Sequence, residues 1–304
     1  METTAYKTQL ADYILACDFK PFDYSADVAK IQVFTIHTPQ TFSKPVIEFS
    51  EALEKKLVEV SEIDESGSVQ ELTISNLSNS YLLIYEGTLL KGGKQNRVIN
   101  ATQLIPPLSR HIIPASCIEQ GRWRRTSSTF EKSAHHSPIN LRKAMREEIM
   151  YCKSSFGSQS RVWSEIKAYS SSSGLHNSSS DFEDMYHRNQ SKNRVFPSGL
   201  PLPPAEGVLL QVNGEPSVDL IANTSAFEKV LPQVISGHEY APVIRKESVL
   251  DSPAQTLAKE IANGKCYAQP AAAIGTDVRI ESSLGYISAL LVDGEVVSAT
   301  LTGM

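Results

Sequence analysis

No apolar run in the 304-residue chain approaches the roughly 20 residues that a bilayer-spanning helix needs, so no membrane partner is expected. The start, METTAYKTQLADYILACDFK, has no basic stretch leading into an apolar core, and therefore does not read as a secretory signal. Cysteine is sparse: Cys17, Cys117, Cys152 and Cys266 lie far apart, with no CxxC pair. That spacing fits neither a disulfide framework nor a zinc knuckle and suits reduced thiols in a cytoplasmic protein. There is no GxxxxGK[ST] loop and no GxSxG elbow. No HxxxH or HxxE spacing occurs either, and His135-His136, being adjacent, point apart in a strand or a helix. The sequence thus names no cofactor, and a nucleoside triphosphatase, an elbow-type serine hydrolase and a metal centre are not signalled.

Hydrophobic residues make up 41% of the chain and charges are spread along it, as in a globular protein large enough to bury a sizeable core. The net charge of −5 is unevenly distributed. Residues 86–146 hold eleven Lys or Arg against Glu86, Glu119 and Glu131, a surplus of +8 that leaves −13 for the remainder. A local field of that sign attracts anions, although a charge run is also what a solvated surface carries. Nucleic acid is disfavoured as a main partner by the overall acidity and by the few aromatics within the basic stretch.

The hydrophobic spacing of Val46, Phe49, Leu53 and Leu57 predicts an amphipathic helix over 42–60. SVQELTISNL, YLLIY, RVINATQLIP and RHIIPAS then read as an antiparallel meander broken at Pro106-Pro107. Ser137-Pro138 offers an N-cap and an N1 proline to a helix over INLRKAMREEIMYC, and a second helix is expected over 159–169. The serine-rich run 170–180 reads as a flexible loop, and DFEDMYHRNQSKNR as an exposed segment. PSGLPLPPAEG at 197–207 reads as a rigid connector. Further on come a hairpin about Asn213-Gly214, helices around 224–236 and 253–263, and a closing hairpin about Asp293-Gly294. The expectation is an α+β fold with mostly antiparallel sheet. It is taken as one complex domain, with a β-rich part 35–125, a helical middle 137–195 and an α+β part 206–304. A homo-oligomer is compatible with the exposed turns and edge strands.

Chemistry concentrates between Glu86 and Trp123. In YLLIYEG, strand alternation puts Glu86 in line with Leu82 and Ile84, at the rim of a core, where a carboxylate must be paired or its pKa rises. It is either an acid/base group or half of a salt bridge, with Arg97 as a possible partner. In KGGKQNRV the paired glycines offer backbone N–H groups to an anion, and Gln95 shares a face with Arg97 while Asn96 suits a turn. In SCIEQGRW, alternation groups Cys117 with Glu119. The thiol is a potential nucleophile, but a carboxylate neighbour raises its pKa, and a strand cysteine is more often a small core residue. Arg122 with Trp123 suits stacking on a base or sugar while pairing a phosphate, or a tryptophan capping the core. The acid/base and nucleophile candidates are Glu86, Glu119 and Cys117. The ligand-binding candidates are Lys94, Gln95, Arg97, Gln120, Arg122 and Trp123.

Taken together, EALEKKLVEVSEI, GSVQELTISN, LLIYEGTLLKGGKQNRVIN and IPASCIEQGRW resemble the ARG and Rhodanese-Phosphatase-superfamily-associated protein domain family. QSRVW at 159–163 and EGVLLQVNGEPSVDLIANTSAFEKVLPQV at 206–234 look like its later blocks, and the likeness runs from about residue 35 to the C-terminus. The resemblance carries Glu86, Gln95, Arg97, Cys117, Glu119, Arg122 and Trp123 over as site residues. The family's name implies a role near ADP-ribose, NAD or related nucleotides, in agreement with the basic field, since ADP-ribose carries a pyrophosphate. The functional expectation is an intracellular protein that binds, or also processes by hydrolysis or transfer, an anionic nucleotide-type molecule or phosphosugar. The alternatives are a non-catalytic nucleotide sensor and a structural domain whose polar run specifies the fold.

Overall fold

The computed structural model describes residues 2–25, 30–64, 68, 70–156, 159–175, 180–189, 196, 199–238 and 250–303. Helix α1 (Glu2–Ala16) leads into strands β1 (Asp18–Phe22), β2 (Ile31–His37) and β3 (Val46–Glu48), then α2 (Phe49–Glu54). Strands β4 (Val58–Ser61), β5 (Glu71–Asn76), β6 (Tyr81–Ile84), β7 (Thr88–Gly92), β8 (Arg97–Ile99), β9 (Gln103–Ile105), β10 (Ser109–Cys117) and β11 (Phe130–His136) follow. The middle is helical: α3 (Ile139–Cys152), α4 (Gln159–Ser173) and α5 (Phe182–Asn189). The last third runs β12 (Gly207–Val212), β13 (Glu215–Ile221), α6 (Thr224–Gly237), α7 (Pro253–Asn263), then β14 (Lys265–Pro270), β15 (Thr276–Glu281), β16 (Gly285–Val292) and β17 (Glu295–Gly303).

These strands form three sheets: β1-β2-β12-β13-β17-β16-β15-β14, β11-β7-β8-β10-β5-β4, and β3-β6-β9. Among the described strands every pairing is antiparallel except β3 with β6, so the fold is α+β with mostly antiparallel sheet, as the sequence predicts. Both predicted hairpins form on two-residue turns. Asn213 and Gly214, and again Asp293 and Gly294, have positive φ, as the tight primed turn requires.

The layers stack around four apolar clusters. One face of the eight-stranded sheet is covered by α1 and α7, through Leu10, Ala11 and Ile14 against Leu257, Ala258 and Ile261. Lys7 fastens the two helices by donating to the Ala262 and Gly264 carbonyls at the end of α7 (2.9 and 3.1 Å). The other face receives Val230 and Val234 of α6 together with Leu83 and Leu104 of the three-stranded sheet and Tyr85 just after β6. Beyond it lies the six-stranded sheet, whose Leu89 and Val98 pack under Leu141, Met145, Val162, Ile166 and Phe182 of α3–α5.

Several expectations change. The helix predicted over 42–60 shrinks to six residues. Val46 belongs to a strand, Glu48 caps α2 by accepting from the Ser50 N–H (2.7 Å), and Lys56 turns into the left-handed region before β4 begins. The spacing of Val46 and Leu57 was helical by coincidence. The meander divides, because β6 and β9 leave β5 and β10 to form a separate sheet with β3. Strands β1 and β2 join the C-terminal strands, so consecutive thirds of the chain do not coincide with separate sheets.

The N-cap of α3 is Pro138, not Ser137. Residues 170–173 are not loop but the last turn of α4, where Ser172 and Ser173 hydroxyls bond back to the Tyr169 and Ser170 carbonyls; 176–179 fall outside the described residues. Helix α5 is not exposed all round: Phe182, Met185 and Tyr186, at i, i+3 and i+4, are buried beneath α4. Of that segment, 190–194 lie outside the described residues, as do 197–198 of the expected connector.

Candidate functional site

The KGGKQNR stretch is the turn between β7 and β8, which pair Leu90 with Arg97. Gly92 and Gly93 both have positive φ, and a Cβ on Gly93 would meet the Phe130 ring and Glu62 Oε1, so no larger residue fits that bend. The exposed N–H groups expected here are engaged internally. Gly92 donates to Asn96 Oδ1 (3.0 Å), Gly93 to Ser127 Oγ (3.1 Å) and Lys94 to Glu62 Oε1 (3.0 Å).

Arg97 points into the core and is fully buried. Its guanidinium pairs with Glu62 (3.2 Å) and donates to the Ser68 carbonyl (2.9 Å), Gln95 Oε1 (3.2 Å) and the Cys117 sulfur. Gln95 and Arg97 therefore share a face, facing inward. Cys117 is clamped by Gln159 of α4, whose amide accepts from the Cys117 N–H and donates to its carbonyl (2.7 Å each). The side chain of Gln159 thus completes the end of β10 as a neighbouring strand would. Burial pushes the Cys117 thiol up to about 12, with Arg97 opposing and Glu62 and Glu119 adding to the rise. A thiol that stays protonated at neutral pH and has no exposed surface is a poor nucleophile. Iodoacetamide applied to the folded protein at pH 8 is expected to alkylate exposed Cys152 and to leave Cys117 at least ~100-fold slower. Peptide mass spectrometry of the alkylated protein checks this, and comparable labelling of Cys117 would restore the thiolate.

Glu86 lies deeper than the rim position its pattern suggested, with no exposed surface. Its partner is not Arg97. Arg146 of α3 donates to Oε1 (2.6 Å) and Arg279 of β15 to Oε2 (3.5 Å). Burial alone would raise this carboxyl, but Arg146, Arg279 and Arg142 outweigh it and hold the group below the usual carboxylate range, opposite to the sequence expectation.

On the opposite side of the turn from Arg97 is a second polar cluster. Glu119 accepts from Arg122 Nε (2.8 Å) and from the Asn96 N–H (3.2 Å), and its chain bridges to Asp181. Asn96 is more than a turn residue: its amide nitrogen donates to both Asp181 oxygens (3.3 and 3.2 Å), while Oδ1 accepts from Arg122 (3.3 Å). Arg122 also donates to the Gly93 carbonyl (2.9 Å), so it turns inward and does not sandwich a ligand with Trp123. Instead Lys94 Nζ stands 5.4 Å from the Trp123 ring centre, and Trp123 remains 49% exposed. Gln120, Arg124 and Arg125 are exposed beside it.

Asp181 is the residue that spacing could not reveal. Burial and then neighbouring Glu119 raise its carboxyl to about 6, against the hydrogen bond from Asn96. The sequence signal available was an aspartate before an apolar-periodic run, which marks a helix cap. Asp181 does accept from the Glu183 N–H (3.0 Å) at the start of α5.

The structure therefore splits the candidates. Glu86, Gln95, Arg97 and Cys117 face inward, whereas Lys94, Glu119, Gln120, Arg122 and Trp123 gather with Asn96 and Asp181 toward the surface. Among the described residues no three His, Cys, Asp or Glu side chains are grouped to hold a metal ion, and no helix is long and apolar enough to cross a membrane.

No curated protein and no solved structure matches the chain. Residues 22–302 match the ARG and Rhodanese-Phosphatase-superfamily-associated Protein domain, a span that runs from before β2 to the penultimate residue of β17. The chain belongs to the ARG and Rhodanese-Phosphatase-superfamily-associated Protein domain family.

Proposed function

We propose that the surface around Trp123 binds an anionic, nucleotide-type small molecule of the ADP-ribose or phosphosugar class, and that the Glu119–Asp181 pair exchanges protons with it. The observation that carries this is the half-exposed Trp123 ring beside Lys94, followed in the chain by exposed Arg124 and Arg125 and preceded by Arg122, which pairs with Glu119, itself bridged to Asp181. A planar base or sugar stacks on the indole, and the surrounding cations neutralise phosphate. Asp181, at about 6, is suited to release and take up a proton near neutral pH, while Arg122 holds Glu119 in place. Hydrolysis or group transfer on the bound molecule is the chemistry this pair would serve.

Millimolar ADP-ribose is expected to raise the melting temperature of the protein. Trp123→Ala, whose side chain is half exposed, should keep the unliganded melting temperature and weaken binding about 10-fold, the loss of roughly 1.4 kcal/mol of stacking and cation–π contact. Asp181→Asn should retain binding and lose turnover. If neither ADP-ribose nor NAD shifts the melting temperature, the ligand class is wrong. If the ligand binds and is recovered unchanged, the protein is a sensor rather than an enzyme.

A second reading is favoured by the complete burial of Glu86 and Arg97 in ion pairs. On it, this part of the polar run specifies the fold and takes no part in binding. Substitution there would then lower stability without altering ligand affinity in the folded fraction.

A further inference from the structure

The loop that carries Trp123 has a second feature, independent of the ring. Residues 118–129 connect β10 to β11 and form no helix or extended strand of their own. From Gln120 to Phe130 they read QGRWRRTSSTF, with three arginines and no acid. Arg122 is turned inward onto Glu119, but Arg124 and Arg125 are exposed and pair with no acid among the described residues. They stand three and two positions before Ser127. Two open guanidinium groups at that spacing ahead of a hydroxyl, on an irregular surface segment, suit the acidic substrate cleft of an arginine-directed protein kinase. Thr126 and Ser128 are exposed as well, yet the same arginines precede them at other spacings.

The hydroxyl of Ser127 is docked on the turn between β7 and β8. Its Oγ accepts from the Gly93 N–H (3.1 Å) and donates to the Thr129 carbonyl (2.6 Å), while the Thr126 N–H bonds the Gly93 carbonyl (2.9 Å). The bare glycines permit this approach, since a Cβ on Gly92 would meet Ser127 Oγ. Between Trp123 and Phe130 the loop has no apolar side chain to anchor it. Held by hydrogen bonds near the surface and not by core packing, such a segment opens at low cost and can lie extended in a partner's cleft.

We propose that Ser127 is a phosphorylation site for an arginine-directed protein kinase, and that its phosphate closes the Trp123 surface to anionic ligands; this second half rests on the ligand reading given above. In the transfer, Ser127 Oγ bonds to the γ-phosphorus of a nucleoside triphosphate as the bond from that phosphorus to the β,γ-bridging oxygen breaks. The nucleoside diphosphate leaves, and the hydroxyl proton passes to the kinase's catalytic carboxylate. Phosphoserine then carries nearly two negative charges into a stretch rich in cations, and its oxygens accept from the Gly93 N–H in place of the hydroxyl. The ester oxygen has no hydrogen left for the Thr129 carbonyl, so the loop loses one of its fastenings. Lys94, Arg124 and Arg125, the cations assigned to the ligand's phosphate, are thereby neutralised from within the chain.

The folded full chain, incubated with ATP and the catalytic subunit of a cyclic-AMP-dependent protein kinase, is expected to gain one phosphate that peptide mass spectrometry places on Ser127. The initial rate should fall ~100-fold when Arg124→Ala and Arg125→Ala are combined, through the loss of two charge-assisted contacts to the kinase. By titration calorimetry the phosphorylated chain should bind ADP-ribose about 10-fold more weakly, whereas Ser127→Ala keeps one affinity before and after kinase treatment. No phosphate on the wild-type chain, or phosphate placed on another residue, overturns the proposal. So does an undiminished rate in the double arginine variant. Phosphate on Ser127 with unchanged ADP-ribose affinity overturns the closing of the surface. If the unmodified chain binds no ADP-ribose while Ser127 is phosphorylated, the ligand reading fails and the modification site stands. Mapping on the wild-type chain decides the site even where a variant fails to fold.

Discussion

Arg146→Met is expected to destabilise the protein by about 3–5 kcal/mol, the cost of leaving a buried charge without its partner. The reason lies in a closed set of six charges in the interior. Glu86 meets Arg146 and Arg279, Arg279 also meets Asp277 (2.7 Å), and Arg142 pairs with Asp219, which accepts from the Tyr85 hydroxyl (2.8 Å). Three cations face three anions, so the set is neutral as a whole and its members are at most 9% exposed at the side chain. Arg142 and Arg146 stand four apart on α3 and project together, while Leu141 and Met145 on the adjoining face bury against the six-stranded sheet. One helix thus joins the turn after β6 to β13 and β15 in the eight-stranded sheet. Without the Arg146 guanidinium, Glu86 keeps, among the described residues, only the longer ion-pair contact to Arg279.

Denaturant unfolding of Arg146→Met, Glu86→Gln and the double variant measures the coupling. The double variant should recover much of the loss, since removing both partners leaves no orphaned charge. A cost below about 1 kcal/mol for Arg146→Met, or full additivity of the two changes, would show that the pair is not coupled as described.

The network also marks where sequence reasoning reaches its limit. The hairpins at Asn213-Gly214 and Asp293-Gly294, and the helices α3, α4, α6 and α7, are set by turn chemistry and local periodicity, so they are legible residue by residue. Pairing over long separations is not. Nothing local in DYSADVAKIQVFTIH says that β2 will pair with β12, some 175 residues later, or that β6 will leave its neighbours for β3. The same holds for the site. Alternation correctly puts Gln95 with Arg97, but it cannot say that this face points to Glu62 and the core, while Asn96 faces the surface cluster. Arg146, Arg279, Gln159 and Asp181 complete the two clusters from 42 to 193 residues away along the chain, beyond the reach of spacing. The excess of basic residues over 86–146 was real as a count, yet Arg97, Arg142 and Arg146 are spent on internal acids, and only part of that charge faces solvent.

Stability is expected to fall between about pH 6.5 and pH 4, because His136 and His238 are buried in neutral form. His238 is held down to about 4, chiefly by burial, and His136 well below the ordinary range by burial and then by Arg142. For a histidine with a depressed folded pKa, the unfolded chain binds the proton first as pH drops. The stabilisation present above pH 6.5 is then lost progressively until the folded value is reached. For His238 the displacement from 6.5 to about 4 corresponds to roughly 3 kcal/mol. Asp181 works the other way: its raised carboxyl takes up a proton in the folded state first, so between about 6 and 3.8 it partly offsets the loss. Glu86, held low by its arginines, withdraws its contribution only at more acid pH, below the usual carboxylate range. Urea midpoints at pH 7.0, 6.0 and 5.0 should therefore decline for the wild-type chain. In His238→Gln, which keeps a polar group beside Ser217 but cannot titrate, the decline should be shallower by about half. A midpoint constant over this range, or a slope unchanged in His238→Gln, would mean that these imidazoles are not held neutral by the fold.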